Sequence, residues 1–133
     1  MSELPRTLRA LVLDDEKSIV RLCSRVIQAL GAQVDAAETV AAAKALIRAG
    51  RYDLFVCDMR LPDGAGLDAE GLFRERNPRG GVIVITGALG PGHPALENTR
   101  GQILVLSMPF ELDEFRSAVK GMLDEAAVPG DAG

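Results

Sequence analysis

Short, wholly apolar runs alternate along this chain with longer stretches in which apolar residues recur every three or four positions. Ala10-Leu11-Val12-Leu13 and Leu54-Phe55-Val56-Cys57 contain no polar residue, a pattern suited to strands buried on both faces. Gly81-Val82-Ile83-Val84-Ile85-Thr86 adds the β-branched enrichment of a strand. Gln33 to Ala36 and Gln102 to Leu106 predict two more. Between these runs, Ile19, Leu22, Cys23, Val26, Ile27 and Leu30 fall at helical spacing ahead of Gly31, and Val40 to Ala49 predicts a helix halted at Gly50. Pro62-Asp63-Gly64 reads as a turn before a third helix around Asp68 to Arg76. Asn77-Pro78 ends that helix, because the residue before a proline resists the α conformation. The run from Gly87 to Pro94 is hostile to helix and leaves only Ala95 to Arg100 for a short fourth one. A last helix is expected to place Leu112, Phe115, Val119 and Met122 on one face.

Five such strand–helix units predict an α/β fold, with a parallel sheet covered by helices on both faces. The expected organisation is an N-terminal extension (1–8), one domain (9–125) and a flexible C-terminal tail (126–133). A chain of 133 residues is enough for one such core. Composition changes this picture only by exclusion. The net charge of −4 offers no basic field for direct nucleic-acid or anionic-membrane binding. No stretch approaches the roughly 20 apolar residues needed to span a bilayer. Cys23 and Cys57 lie inside apolar segments and read as reduced core residues of a cytoplasmic protein. With a single histidine, His93, a transition-metal site has almost no support, and His93 itself reads as a solvated loop residue.

The candidate chemistry lies where strands end. The first ends in Asp14-Asp15, the third in Asp58 and the fourth in Thr86. In open parallel sheets, ligands bind beyond the carboxyl ends of the strands where the strand order reverses. If the order is 2-1-3-4-5, three carboxylates converge there and repel one another in a partly desolvated cleft. A hard divalent cation such as Mg²⁺ relieves that repulsion and suits attack by a carboxylate on a phosphoryl group. Each acid also has a plainer reading taken alone. Asp15 could cap the helix beginning near Glu16, and Asp58 could be a turn acid.

Four blocks of residues resemble the receiver domains of two-component response regulators. They are Val12-Leu13-Asp14-Asp15-Glu16, Val56-Cys57-Asp58-Met59-Arg60-Leu61-Pro62-Asp63-Gly64, Val84-Ile85-Thr86-Gly87 and Met108-Pro109-Phe110. The resemblance runs from about Arg9 to Leu123. It implies a flavodoxin-like, doubly wound, five-stranded sheet, with Asp58 accepting a phosphoryl group from a histidine kinase or phosphotransfer protein. It further implies Mg²⁺ held by Asp15 directly, by Asp14 through a coordinated water, by Asp58 and by the Arg60 backbone carbonyl. Thr86 would be the switch hydroxyl, with small Gly87 leaving room for the phosphate, and Met108-Pro109 would correspond to the family's Lys-Pro pair with its cis peptide. The chain would then be a phosphoacceptor rather than an enzyme, with at most Mg²⁺-dependent self-phosphorylation and autodephosphorylation. After Glu125 too little chain remains for an effector domain. Unless the sequence is part of a longer protein, a stand-alone receiver is expected to signal through a downstream protein partner, and a homodimer is allowed.

Two positions depart from the family pattern. Met108 stands where a lysine is usual and carries neither charge nor donor. Its loss removes a charge-assisted hydrogen bond of about 1.5–3 kcal/mol. Metal dependence should therefore rise, and coupling to Thr86 should weaken, although Arg60 could swing in as a substitute cation. Val105 replaces the usual switching aromatic. A degenerate receiver working by protein contact alone is thus the alternative. An aspartate-dependent phosphohydrolase is a third reading, but it wants an acid two residues after the nucleophile, where this chain has Arg60. Gly90-Pro91-Gly92-His93-Pro94-Ala95 loosely matches a dinucleotide-binding fingerprint, yet its prolines lack the N–H donors a phosphate cradle needs.

Overall fold

The computed structural model describes residues 7–87, 103–108 and 110–127. The fourth helix expected at Ala95 to Arg100, His93, the fingerprint-like run from Gly90, the Pro109 peptide and residues 128–133 lie outside the described residues. Five strands, β1 (Arg9–Leu13), β2 (Gln33–Ala37), β3 (Leu54–Asp58), β4 (Gly81–Thr86) and β5 (Ile103–Ser107), form one sheet in the order 2-1-3-4-5. Every pairing is parallel. The helices are α1 (Lys17–Ala29), α2 (Val40–Ala49), α3 (Glu70–Arg76) and α4 (Leu112–Ala127). A 3₁₀ turn, Gly66–Ala69, precedes α3.

Because side chains alternate across a strand, the apolar runs feed two separate interiors. On one side Leu11, Leu13, Phe55, Cys57, Val82 and Val84 pack with Val40, Ala43 and Ile47 of α2 and Phe73 of α3. On the other, Ala10, Val12, Leu54, Val56, Ile83 and Ile85 meet Cys23 and Ile27 of α1 and Phe115, Val119 and Leu123 of α4. Both cysteines are free and buried, as expected. Gly31 ends α1 with φ +99°, a left-handed conformation glycine adopts without steric cost.

Three expectations change. The helix after the Pro-Asp-Gly turn opens as a 3₁₀ turn, and only from Glu70 is it α-helical. Leu112 does not join the core face of α4 but is half exposed, at 49%. It is the first residue of the helix, and periodicity reports angle around a helix, not position along it. Finally, α4 continues to Ala127, two residues into the stretch expected as a tail.

Candidate functional site

The carboxyl ends of β1 and β3 are neighbours, with Leu13 paired to Cys57, so Asp14 and Asp58 emerge side by side. Asp14, Asp15 and Asp58 each bring a carboxylate oxygen to within 4.8 Å of the other two. Asp14 is 3% exposed, Asp58 partly buried and Asp15 exposed. Burial pushes the Asp14 carboxyl up to about 6, aided by the charges of Asp58, Asp15 and Glu16 and opposed by one hydrogen bond. That bond comes from the Glu16 N–H to Asp14 Oδ1, at 2.9 Å. Asp58 is also raised, first by desolvation and then by Asp15 and Glu16, while the Arg60 and Met59 amides oppose the rise.

The capping role foreseen for Asp15 is not taken up: Glu16 is the N-cap of α1, and it has no side-chain cap bond. Asp14, not Asp15, accepts the hydrogen bond from Glu16, whose backbone forms the N-cap of α1. Asp15 therefore projects outward beside the two less exposed acids. Three hard oxygen donors with mutual repulsion fit a small divalent cation, since one bound ion offsets charge that burial leaves unsolvated.

Thr86, the last residue of β4, is buried one strand away from Asp58. Met108 follows β5, its N–H donating to the Thr86 carbonyl at 2.7 Å, and its side chain is 38% exposed. Val105 is 36% exposed. The Arg60 side chain is exposed, while its backbone N–H points to Asp58 Oδ1 at 3.4 Å. The structure thus gathers the three acids, sets Thr86 and Met108 at adjoining strand ends, and directs the Arg60 N–H to Asp58.

Two features of the loop after β3 are not visible in the sequence. The sequence places Asp63 in the Pro-Asp-Gly turn and in the receiver-like block but assigns its side chain no partner; its carboxylate accepts from the N–H groups of Val40 and Ala41 at the start of α2. Gly66 passes so close to β3 that an added Cβ would lie 2.2 Å from the Asp58 carbonyl oxygen. The Asp and Gly types were visible; the partners, distant in sequence, were not.

The family model for the response regulator receiver domain matches residues 10–120. The chain is 30% identical over 118 residues to the photosynthetic apparatus regulatory protein RegA of Rhodobacter capsulatus, covering 89% of this chain and 64% of that protein. It is 34% identical over 113 residues to the response regulator protein PilR of Pseudomonas aeruginosa, covering 84% and 25% respectively. The chain therefore spans less than two thirds of either relative. Among solved structures, a CheY-like receiver domain protein from Methanospirillum hungatei superposes with a TM-score of 0.80 at 22% identity, over 90% of this chain and 96% of that one. The beryllofluoride-activated NtrC4 receiver domain dimer gives 0.74 at 30% identity, over 88% and 97%.

Proposed function

The chain belongs to the response regulator receiver domain family, and from that premise we propose that Asp58 accepts a phosphoryl group with the help of Mg²⁺. The observation that carries this reading is the convergence of Asp14, Asp15 and Asp58 within 4.8 Å at the carboxyl edge of the sheet. In the transfer, an Asp58 carboxylate oxygen forms a bond to phosphorus while the bond from phosphorus to the donor's leaving group breaks, and the leaving group departs with that bond's electron pair. Asp14, Asp15, Asp58 and the Arg60 carbonyl would hold the cation. When bound, Mg²⁺ would screen the negative charge that separates carboxylate from phosphoryl oxygens. Thr86 supplies a hydroxyl at the next strand end for the new phosphoryl oxygens, and Gly87 beyond it is exposed and small.

The donor is a histidine kinase or phosphotransfer protein, and the altered surface is read by a downstream protein, with a homodimer as one form of that surface. The domain serves as a phosphoacceptor, not as an enzyme acting on an outside substrate. With a net charge of −4, direct binding to nucleic acid is not part of this reading. No helix among the described residues is long and apolar enough to cross a membrane. A cytoplasmic setting suits two free, buried thiols.

A second reading has its own support. An exposed methionine occupies the position of the family's lysine, so the domain could work through contacts without regulated phosphorylation. Intact mass after incubation with a small acyl phosphate and Mg²⁺ separates the two. A gain of one phosphoryl group, absent in Asp58→Asn, is the expected result. An unchanged mass in a chain that still binds Mg²⁺ would overturn the phosphoacceptor reading in favour of the contact module.

A further inference from the structure

We propose that Asp63 is a positioning residue for the phosphoacceptor site, fixing the backbone of Arg60 by fastening its loop to α2. The inference rests on the functional reading above and deepens it.

Helix α2 begins with N–H groups that have no partner within the helix. Thr39 Oγ1 accepts from Ala42 N–H at 3.1 Å, an ordinary cap. The other two bonds come from across the chain: Asp63 Oδ1 accepts from Val40 N–H at 2.8 Å and Oδ2 from Ala41 N–H at 3.1 Å. A carboxylate suits this place because the helix start presents both donors and positive potential. The Asp63 carboxyl is accordingly held below its ordinary value, chiefly by those two amides.

The loop bearing Asp63 leads straight from the phosphoacceptor. Leu61 and Gly64 exchange backbone hydrogen bonds of 2.8 and 3.3 Å, so Pro62 and Asp63 form the tip of a small hairpin. Gly64 has φ +150°, and a Cβ there would meet Asp68 Oδ2 at 2.6 Å. That same oxygen accepts from Ala65 N–H at 3.0 Å. At the near end, Met59 N–H donates to the Ile85 carbonyl at 3.2 Å. Arg60 is thus bracketed by a residue tied to β4 and a residue tied into the hairpin, while its own N–H points at Asp58 Oδ1. Leu61 packs its side chain against the core at the base of the hairpin, and Asp63 fastens the exposed tip to α2 by two hydrogen bonds. With those bonds removed, only the base of the hairpin is held, and the Arg60 peptide beside it loses part of its restraint.

The test compares Asp63→Ala and Asp63→Asn with Thr39→Ala, which removes a cap from the same helix without freeing the loop. Mg²⁺ affinity is read by calorimetry, and amide exchange at Arg60 and Leu61 is followed in the metal-free chain. Asp63→Ala is expected to weaken Mg²⁺ binding by roughly tenfold, the scale seen when groups supporting metal ligands are lost, and to speed exchange at both amides. Asp63→Asn keeps one acceptor oxygen and should fall between. It also preserves the comparison if the alanine variant folds poorly. Thr39→Ala should match the native chain in both readouts. Native affinity and native exchange in Asp63→Ala would overturn the inference, as would an equal loss in Thr39→Ala, which would mark Asp63 as a helix cap only. A native chain that binds no Mg²⁺ would overturn the functional reading itself and this inference with it.

Discussion

Asp14→Asn should make the metal-free protein more stable, and the gain should depend on pH. In the native fold this carboxyl is 3% exposed and its proton affinity is raised from 3.8 to about 6, desolvation being the largest cause. Each unit corresponds to about 1.4 kcal/mol, so keeping Asp14 ionised in the folded chain costs about 3 kcal/mol. The folded state binds the proton more tightly than the unfolded state, so stability falls as pH rises from about 3.8 to about 6. Above that window the cost is complete, and below it the cost vanishes. Asparagine carries no charge and can still accept from the Glu16 N–H with its amide oxygen. Urea unfolding followed by circular dichroism, with chelator present, should therefore favour the variant by up to about 3 kcal/mol near pH 8 and by less than about 1 kcal/mol near pH 4. Saturating Mg²⁺ should stabilise the native chain more than the variant and shrink the gap, since a bound cation offsets the same charge. A variant less stable than native near pH 8, or an advantage unchanged near pH 4, would refute the reasoning.

Gly66→Ala forces a methyl group against the Asp58 carbonyl oxygen and Cys57 Cβ, at built distances of 2.2 and 2.8 Å. It should cost about 1–3 kcal/mol in urea unfolding, in the range of overpacked interiors, and lower Mg²⁺ affinity by displacing the strand end. Met108→Lys returns an ammonium to the family's position beside Thr86. It should stabilise the metal-free chain by about 2 kcal/mol and reduce the extra stability that Mg²⁺ confers; an unchanged response to Mg²⁺ would count against the lost-cation account of this domain.

The fold was largely legible because, between their end residues, its central strands carry no polar residue. Leu11, Val12, Val56 and Ile83 all face packed helices, and a strand with two covered faces must be apolar throughout. The acids were legible as a set because Asp14 and Asp58 each interrupt such a run at its carboxyl end. What stayed hidden depends on contacts between residues far apart in sequence. Asp63 and Val40 are 23 positions apart, and neither residue type announces the other. Which of Asp14 and Asp15 would face inward was equally hidden, since both follow β1 and only the backbone path into α1 decides it. The 3₁₀ opening before α3 begins at Gly66, whose close passage over Asp58 no helical period encodes.

The phosphoacceptor strand has a further consequence for how the chain finds its alignment during folding. Leu54, Phe55, Val56 and Cys57 are all fully enclosed, so a slip of one residue would exchange apolar side chains for apolar side chains. In most sheets polarity forbids such a slip; within this stretch it does not. The alignment is marked instead at the two ends. Asp53 accepts the Arg9 N–H through Oδ2 at 2.9 Å, and Asp58 halts the run where β3 meets the loop. Asp53 thus serves as one end-stop and Asp58 as the other. An apolar replacement at Asp58 would erase a registration mark along with any chemistry, whereas asparagine would keep the mark and remove only the charge.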